Sequence, residues 1–288
     1  TSTYVVDVKH LESLIDSNTI MISGSAPCFP YGTIDPIPKL AQIAKKRNVG
    51  MHVDACLGGF VVAFAEQLKL DIPFNFKIDG VTSISIDHHK YGLAPKGVSG
   101  LFFKTKELRG SGFFSYSDWC GGAYATPSML GSRSGIATAG AWFVMNTITR
   151  EGYKENARKL METVVQTADQ LRADGRIEVF GDPRICVVSF RPKDISSYKL
   201  SSFLGRERGW ELSSLHRPEG IHISVTPSNQ EKVRTNLVKD VKDGITAVIR
   251  EPEKYKGSTE ALYGGTANIP DTNVRESILK LILSSYLK

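Results

Sequence analysis

The chain has 288 residues, of which 41% are hydrophobic and 23% are charged, a balance typical of a globular protein with a large core. This composition excludes a disordered or collagen-like chain, and no apolar run reaches the roughly 20 residues of a membrane-spanning helix. The net charge of +6 comes from scattered Lys and Arg side chains, which disfavours nucleic-acid binding and fits an anionic small substrate. The cysteines are far apart, which indicates reduced thiols and neither a disulfide framework nor a metal site: Cys28, Cys56, Cys120 and Cys186.

The first part of the chain alternates predicted strands and helices. In chain order we predict a helix over 7–15, a strand over 20–22, a loop over 24–38 that leads into a short helix, and strands over 50–53, 81–86 and 100–103. This alternation indicates a parallel sheet with helices on its faces, in which ligands bind beyond the carboxyl ends of the strands. Asp54 and Lys90 both follow such strand ends.

A different pattern begins after a polar, glycine-rich connector. Its elements are typical of a smaller α+β domain. We therefore expect two domains, over residues 1–150 and 151–288. The predicted elements are the connector over 110–135, helices over 137–149, 153–174, 199–208, 230–249 and 273–287, strands over 185–190 and 221–225, and a loop-like tail over 251–267.

A carboxylate that ends one strand and a lysine just after another form the strongest chemical pattern in the chain. An enzyme that uses pyridoxal phosphate needs both, because a lysine amine bonds the cofactor aldehyde and a carboxylate keeps the pyridine nitrogen protonated, so that the ring accepts electrons. Asp54 and Lys90 have these positions. Either residue alone proves little, because strand-end Asp residues cap helices and lysines are common on surfaces. We interpret His52 as a packed histidine.

Three segments resemble sphingosine-1-phosphate lyases, a family of fold-type I pyridoxal phosphate enzymes. They are 51–60 (MHVDACLGGF), 83–97 (SISIDHHKYGLAPKG) and 131–135 (GSRSG), and similarity extends over essentially the whole chain. The HKYG sequence alone also fits glutamate and aromatic amino-acid decarboxylases, whereas the APKG and GSR sequences favour the lyases. The resemblance implies an α/β, aspartate aminotransferase-like fold, with the C-terminal part of the large domain and a small α+β C-terminal domain.

The resemblance also implies the residues that hold the cofactor. Lys90 is expected to be the Schiff-base lysine, Asp54 the partner of the pyridine nitrogen, and His89 a ligand of the cofactor phosphate. Cys56 stands where the family places a small side chain under the pyridine ring, and a buried packing thiol is compatible with that role. Ser25 lies near the position from which relatives hydrogen-bond the cofactor.

Substrate contacts follow from the same resemblance. Lys96 corresponds to the second lysine of the family's site, with a solvated loop lysine as the alternative. Tyr31 is a candidate substrate-facing tyrosine, although some members carry His there, which weakens a proton-transfer role. Ser128, Ser132 and Arg133 are candidates for a contact with the partner subunit's cofactor phosphate or substrate, and a structural salt bridge is the alternative for Arg133.

The implied activity is a carbon–carbon lyase that cleaves sphingosine or sphinganine 1-phosphate to a long-chain aldehyde and phosphoethanolamine, as a homodimer with shared sites. The alternatives are a pyridoxal phosphate-dependent amino-acid decarboxylase and a non-catalytic fragment or pseudoenzyme. Two departures from the family pattern are His88, which could crowd the cofactor phosphate, and Ser134.

The family resemblance also bears on the extent of the chain and its location. Complete members have an upstream glycine-rich phosphate loop and further interface segments, so we expect this chain to begin partway through the large domain. In a eukaryote the resemblance implies the endoplasmic reticulum membrane, with a cytosol-facing catalytic domain and the anchor upstream. In a bacterium it implies the cytoplasm.

Overall fold

The computed structural model describes residues 3–256 and 269–286. The chain divides into two compact units, each built from several stretches of sequence. A domain boundary at residue 150 stays a prediction. The first unit comprises Thr1–Val165, Gly181–Val187 and Val225–Gln230, and the second comprises Gln166–Phe180, Val188–Ser224 and Glu231–Lys288.

A four-stranded sheet forms the centre of the first unit. Its strands are β1 (Met21–Ser25), β2 (Gly50–Asp54), β3 (Ser83–Asp87) and β4 (Ser99–Phe103), in the order β1-β2-β3-β4. The first three are parallel, as predicted, whereas β4 runs antiparallel to β3. The reason is the connection over 88–98, a tight turn and loop without the crossover helix that a parallel return requires.

Helix α2 (Ile37–Arg47) covers the apolar face of this sheet. It begins inside the predicted loop, because Pro38 occupies the first helical turn, where the missing N–H costs no hydrogen bond. The Ile37 and Leu40 side chains of this helix are fully buried. They lie so close to β1 that a Cβ atom on Gly24 would come within 2.7 Å of a Leu40 methyl group. The helix therefore packs directly on the strand backbone.

Several other elements complete the first unit. The predicted connector contains a β-hairpin that the sequence analysis missed, formed by antiparallel β5 and β6. Two helices predicted around residue 150 form one run, α5, whose backbone breaks at Thr149 (φ 62°, ψ 169°), so the predicted interruption is present. The elements are α1 (Val8–Ser13), α3 (Gly59–Val62), α4 (Lys106–Gly110), β5 (Phe114–Tyr116), β6 (Tyr124–Thr126) and α5 (Gly135–Arg172). The part of α5 after Val165 belongs to the second unit.

The second unit contains another four-stranded sheet, in the order β7-β8-β10-β9, with helices packed on it. Its core is apolar and includes Phe190, Leu204 and Ile245. The strand pairs β7–β8 and β9–β10 are antiparallel, which fits the predicted α+β class. The elements are β7 (Ile177–Val179), β8 (Val187–Pro192), α6 (Ser197–Arg208), β9 (Ser213–His216), β10 (Glu219–Ser224), α7 (Gln230–Lys232), a π-helical turn (Val233–Leu237), α8 (Val238–Arg250) and α9 (Thr272–Tyr286).

Part of the predicted C-terminal organisation lies outside the described residues, namely 257–267 of the loop-like tail and Leu287 at the end of the last predicted helix. Within the described ranges, no helix combines the length and the apolar character that crossing a bilayer requires.

Candidate active site

The carboxyl ends of the parallel strands bring the predicted site residues to one edge of the first sheet. Ser25 pairs in register with Asp54, and Asp54 pairs with Ser85. Because side chains alternate along a strand, His52 and Asp54 share one face of β2, opposite the face that Met51 and Val53 bury. A polar strip therefore crosses the sheet at its carboxyl edge.

Asp54 is held at this edge by two hydrogen bonds to the same carboxylate oxygen. The backbone N–H of Cys56 donates to Oδ1 over 3.0 Å, and the Ser85 hydroxyl donates to Oδ1 over 3.4 Å. Neither bond uses Oδ2. The carboxyl group is half-buried and keeps one oxygen for a ligand.

The Cys56 thiol lies between two strand-end carboxylates. Burial, together with the nearby carboxylates of Asp54 and Asp87, raises the pKa of this thiol to about 11, against the opposing effect of a hydrogen bond with Ser85. The Sγ–Oγ distance to Ser85 is 3.1 Å. Cys56 is therefore a protonated, weakly hydrogen-bonding side chain at neutral pH. This agrees with the small packing residue expected at its position.

Lys90 forms an ion pair with Asp87, a residue to which the sequence analysis gave no role. The Lys90 Nζ lies 2.9 Å from Asp87 Oδ2, and the Ser99 hydroxyl donates to Asp87 Oδ1. Burial of Asp87 raises its pKa, but the hydrogen bonds from Ser99 and Lys90 outweigh this effect and hold the pKa below its ordinary value. The Lys90 amine is thus kept at the carboxyl end of β3 in the absence of a ligand.

The turn that carries Lys90 is anchored on both sides. The Tyr91 hydroxyl donates toward the carbonyl oxygens of Val225 at 2.8 Å and Cys186 at 3.2 Å. The Tyr153 hydroxyl donates to the carbonyl oxygen of Gly92 over 2.7 Å. These buried bonds, made to residues distant in sequence, hold the backbone of the turn, from which the exposed Lys90 side chain extends.

The two histidines before Lys90 differ in their surroundings. His89 directs Nδ1 to the carbonyl oxygen of Val98 at 2.8 Å, and its Nε2 lies 3.7 Å from Oδ2 of Asp87. A phosphate held by His89 would therefore share Nε2 with Asp87. His88 packs edge-on against Phe60, with ring centroids 5.2 Å apart, and burial lowers its pKa. The neutral, packed ring of His88 is consistent with a structural role.

Other predicted residues lie nearer the margin of the cluster. The backbone N–H of Ser25 donates to Asp35 over 2.8 Å, which fixes the end of β1. Tyr31 stacks on Tyr4 with ring centroids 4.9 Å apart, and burial, aided by the neighbouring Cys28, raises its pKa. Tyr31 is therefore protonated at neutral pH, which disfavours it as a base. Lys96 is exposed and forms no ion pair with the described residues.

The structure does not bring the connector residues to Lys90. Ser132 and Arg133 are exposed, and neither makes a hydrogen bond or ion pair within residues 3–256 and 269–286. The backbone of Ser128 bonds with the Thr126 hydroxyl. Arg133 therefore has no carboxylate partner for a structural salt bridge in this part of the chain. Its contact with a second subunit stays a prediction.

The sequence analysis missed three residues of the site. Asp87 precedes Lys90 by three positions, and the turn between them brings the two side chains close enough to form an ion pair. Ser85 contacts both Asp54 and Cys56, and His52 contacts Ser85 over 3.1 Å. The available indication was the alternation of polar residues at 52, 83 and 85 within two predicted strands, continued by 54 and 87 directly after them.

Solved structures define the class of the protein. A sphingosine-1-phosphate lyase from Burkholderia pseudomallei superposes with a TM-score of 0.81 at 36% identity, over 88% of this chain and 58% of that one. A Lactobacillus brevis glutamate decarboxylase has a TM-score of 0.71 at 23% identity, over 84% of this chain and 58% of that one, and bears on the fold alone. The fold is that of the fold-type I pyridoxal phosphate enzymes, as predicted.

Residues 19–193 match the pyridoxal-dependent decarboxylase conserved domain, and the chain belongs to this family. It is 39% identical over 282 residues to a sphingosine-1-phosphate lyase of Arabidopsis thaliana, covering 97% of this chain and 52% of the plant protein. It is 36% identical over 283 residues to sphingosine-1-phosphate lyase 1 of Rattus norvegicus, covering 97% of this chain and 50% of the rat protein. The chain thus spans about half the length of the curated relatives it matches.

Membership of this family confirms pyridoxal phosphate as the cofactor, and the site residues fit it chemically. Lys90 supplies an amine for the aldehyde, Asp54 a carboxylate with one oxygen uncommitted, and His89 a ring nitrogen for the phosphate. The thiol of Cys56 is small and uncharged, so it leaves room for a flat ring without competing as a nucleophile.

Proposed function

We propose that this chain carries the reaction centre of a pyridoxal phosphate-dependent lyase that cleaves phosphorylated long-chain bases, with a long-chain aldehyde and phosphoethanolamine as products. The observation that carries the proposal is the pair Asp54 and Lys90 around the Cys56 thiol, in a chain 39% identical to a plant sphingosine-1-phosphate lyase. A decarboxylase is less favoured, because the matched glutamate decarboxylase is only 23% identical.

In this proposal each residue acts on a defined atom. When bound, pyridoxal phosphate supplies the electron sink for the charge left on Cα as the Cα–C3 bond breaks. Lys90 would hold the cofactor through its aldehyde, and Asp87 would pair with the Lys90 ammonium whenever that amine is not bonded to the cofactor. Asp54 holds the pyridine nitrogen, and His89 holds the phosphate. Ser25, which pairs with Asp54 in the strand register, would hydrogen-bond the cofactor.

Lys96 and Tyr31 are proposed to face the substrate. Lys96 is exposed and makes no ion pair within the part of the chain that the structure describes, so its amine can contact the dianionic headgroup or the C3 oxygen. The protonated hydroxyl of Tyr31 can donate a hydrogen bond to a substrate oxygen but does not remove its proton.

We also propose that the active form is a homodimer in which Ser128, Ser132 and Arg133 contact the partner subunit's cofactor or substrate. Large apolar side chains support this, because Ile136, Trp142 and Phe143 near the start of α5 are 81%, 67% and 63% exposed. In a eukaryote we propose an endoplasmic reticulum location, and in a bacterium a cytoplasmic one, on the basis of relatives in both groups.

The function is tested by cofactor attachment and by product analysis. We expect borohydride reduction after incubation with pyridoxal phosphate to attach a pyridoxyl group to Lys90, located by peptide mass spectrometry, and Lys90→Ala to abolish it. The Lys96→Ala variant should keep the Lys90 label but release long-chain aldehyde from sphinganine 1-phosphate on the order of 10²-fold more slowly. Carbon dioxide release from an amino acid without aldehyde release would indicate the decarboxylase, and a chain with neither activity would contradict catalysis.

A further inference from the structure

A continuous line of hydrogen bonds crosses from β3 to β2 and ends on Asp54. Ser83 Oγ lies 2.8 Å from Nδ1 of His52, and Nε2 of His52 lies 3.1 Å from Ser85 Oγ. Ser85 Oγ in turn donates to Asp54 Oδ1 over 3.4 Å. The strand register produces this arrangement, since His52 is opposite Ser83 and Asp54 is opposite Ser85.

The positions of the protons follow from counting donors and acceptors. An ionised Asp54 only accepts, so Ser85 gives its single hydroxyl proton to that carboxylate. The Ser85 oxygen then accepts from its two other neighbours, the Cys56 thiol and Nε2 of His52. His52 therefore carries its proton on Nε2, and Nδ1 accepts from the Ser83 hydroxyl. Every bond in the line points toward Asp54.

The neutral form of His52 is the one that completes this order. A doubly protonated ring would donate from Nδ1 as well, and the Ser83 hydroxyl, 7% exposed, would lose its role as a donor. Burial lowers the pKa of His52, and the opposing effect of Asp54 does not cancel the shift. His52 therefore stays uncharged at neutral pH and adds no charge beside Asp54.

We propose that His52 is a positioning residue: as the Nε2-protonated tautomer it orients Ser85, which holds Oδ1 of Asp54, so that Oδ2 would remain for the pyridine nitrogen of the cofactor. The role toward the cofactor rests on the proposed function, whereas the hydrogen-bond line does not. His52 therefore has a role beyond packing, because it acts through Ser85 on Asp54.

The tautomer is tested in the full chain without cofactor. We expect ring ¹⁵N NMR to give the Nε2–H form of His52, with a pKa below the ordinary 6.5. Ser85→Ala should shift the His52 ring resonances. Ser23→Ala, on the neighbouring strand opposite His52, should leave them unchanged. An Nδ1–H tautomer, a ring charged at neutral pH, or resonances insensitive to Ser85→Ala would overturn the proposal.

The effect on the cofactor is tested with a substitution that removes the donor and one that keeps it. We expect His52→Leu to bind pyridoxal phosphate about tenfold more weakly and to shift the pH at which the absorbance of the bound cofactor changes. His52→Gln, whose side-chain amide can still donate to Ser85, should restore most of both properties. Ser85→Ala provides the same comparison by removing a single oxygen atom if His52→Leu does not fold.

These measurements separate this inference from the proposed function. If the chain labels at Lys90 and His52→Leu and Ser85→Ala both bind the cofactor with the parent affinity and pH profile, the role of His52 is wrong while the cofactor site stands. If the parent chain does not label at Lys90, the proposed function fails, and the ring NMR still decides whether the hydrogen-bond line exists.

Discussion

Asp54 and Asp87 both end buried strands, yet they have different partners. Asp54 accepts from a backbone N–H and a hydroxyl, whereas Asp87 accepts from a hydroxyl and pairs with the Lys90 ammonium. The neutral donors around Asp54 leave its charge uncompensated, so it can hold a protonated pyridine nitrogen. The Lys90 ammonium compensates the negative charge of Asp87, and this ion pair holds the Lys90 amine at the end of β3.

Asp54→Asn tests the role of the first carboxylate. Asparagine keeps the shape and the hydrogen bonds but cannot stabilise a positive pyridine nitrogen. We expect the Lys90 label to remain, with weaker cofactor binding, and aldehyde release to fall by roughly 10²-fold or more. Asp71→Asn, an exposed carboxylate, is the control. Aldehyde release close to the parent rate would show that Asp54 acts elsewhere.

Asp87→Asn tests the ion pair through its pH dependence. Because the folded-state pKa lies below the ordinary 3.8, ionised Asp87 stabilises the fold above that pH, and the stabilisation disappears as the pH falls through the lowered value. We expect the variant to lose about 1–2 kcal/mol of unfolding free energy at neutral pH, a figure reduced by the partial exposure of Lys90. Urea unfolding measures it.

The same variant gives a second comparison in acid. Once the pH falls below the lowered pKa of Asp87, the difference from the parent chain should shrink to near zero, because both chains then carry a neutral side chain at this position. An equal difference at neutral and acid pH would mean that the charge of Asp87 has no part in the stabilisation.

At the scale of elements, the turn between β3 and β4 depends on partners far along the chain. Gly92 allows close packing, since a Cβ there would come within 2.5 Å of the His88 carbonyl oxygen and 2.7 Å of the Phe60 ring. Tyr91 and Tyr153 then supply hydrogen bonds on its two sides. These hydrogen bonds and the close packing at Gly92 hold the backbone of the turn in one position. The exposed Lys90 side chain extends from this fixed backbone.

Tyr153→Phe tests this anchoring. The change leaves the ring packing in place but leaves the buried carbonyl oxygen of Gly92 without the Tyr153 hydroxyl, at a cost of about 1–3 kcal/mol. We expect a corresponding loss of unfolding free energy in urea and a lower yield of Lys90 label. Tyr116→Phe, at an exposed tyrosine of the hairpin, should change neither. Unfolding curves that coincide with those of the parent chain would exclude the anchoring role.

At the scale of the whole molecule, the start of α5 carries an apolar surface that the described residues do not cover. Ile136 and Phe143 are separated by seven positions, which places them on one face of the helix, and Trp142 lies beside them. Exposed apolar groups of this size mark interaction surfaces. The proposed dimer buries them against a second copy of the chain.

Phe143→Glu tests the proposed dimer. A carboxylate at the centre of an apolar contact must be desolvated without a partner, so we expect the substitution to shift the protein from dimer to monomer. Analytical ultracentrifugation measures the mass of each species. Lys239→Glu on α8 introduces the same side chain at another exposed position and should leave the dimer intact. A monomeric parent chain, or a dimeric Phe143→Glu variant, contradicts the proposal.

The sequence predicted what depends on local pattern. Apolar runs predicted β2, β3 and β4 and the residues that follow them, because a buried strand has its period in neighbouring residues. The strand-end positions of Asp54 and Lys90 and the break near Thr149 followed in the same way. The hairpin β5–β6 was not predicted because its strands are only three residues long, too short for the alternation of Phe114, Ser115 and Tyr116 to indicate a strand.

Sequence alone predicted the fold class, the cofactor and the two residues on which the chemistry is proposed to depend, because the motifs that carry the family resemblance and the succession of buried strands along the chain are local properties of the sequence. Only the tertiary structure decided which groups surround them. Strand register placed His52 and Ser85 in line with Asp54, and long-range packing placed Tyr91 against carbonyl groups 95 and 134 residues away. Hydrogen bonds and burial depend on distances between segments remote in sequence, which no local pattern contains.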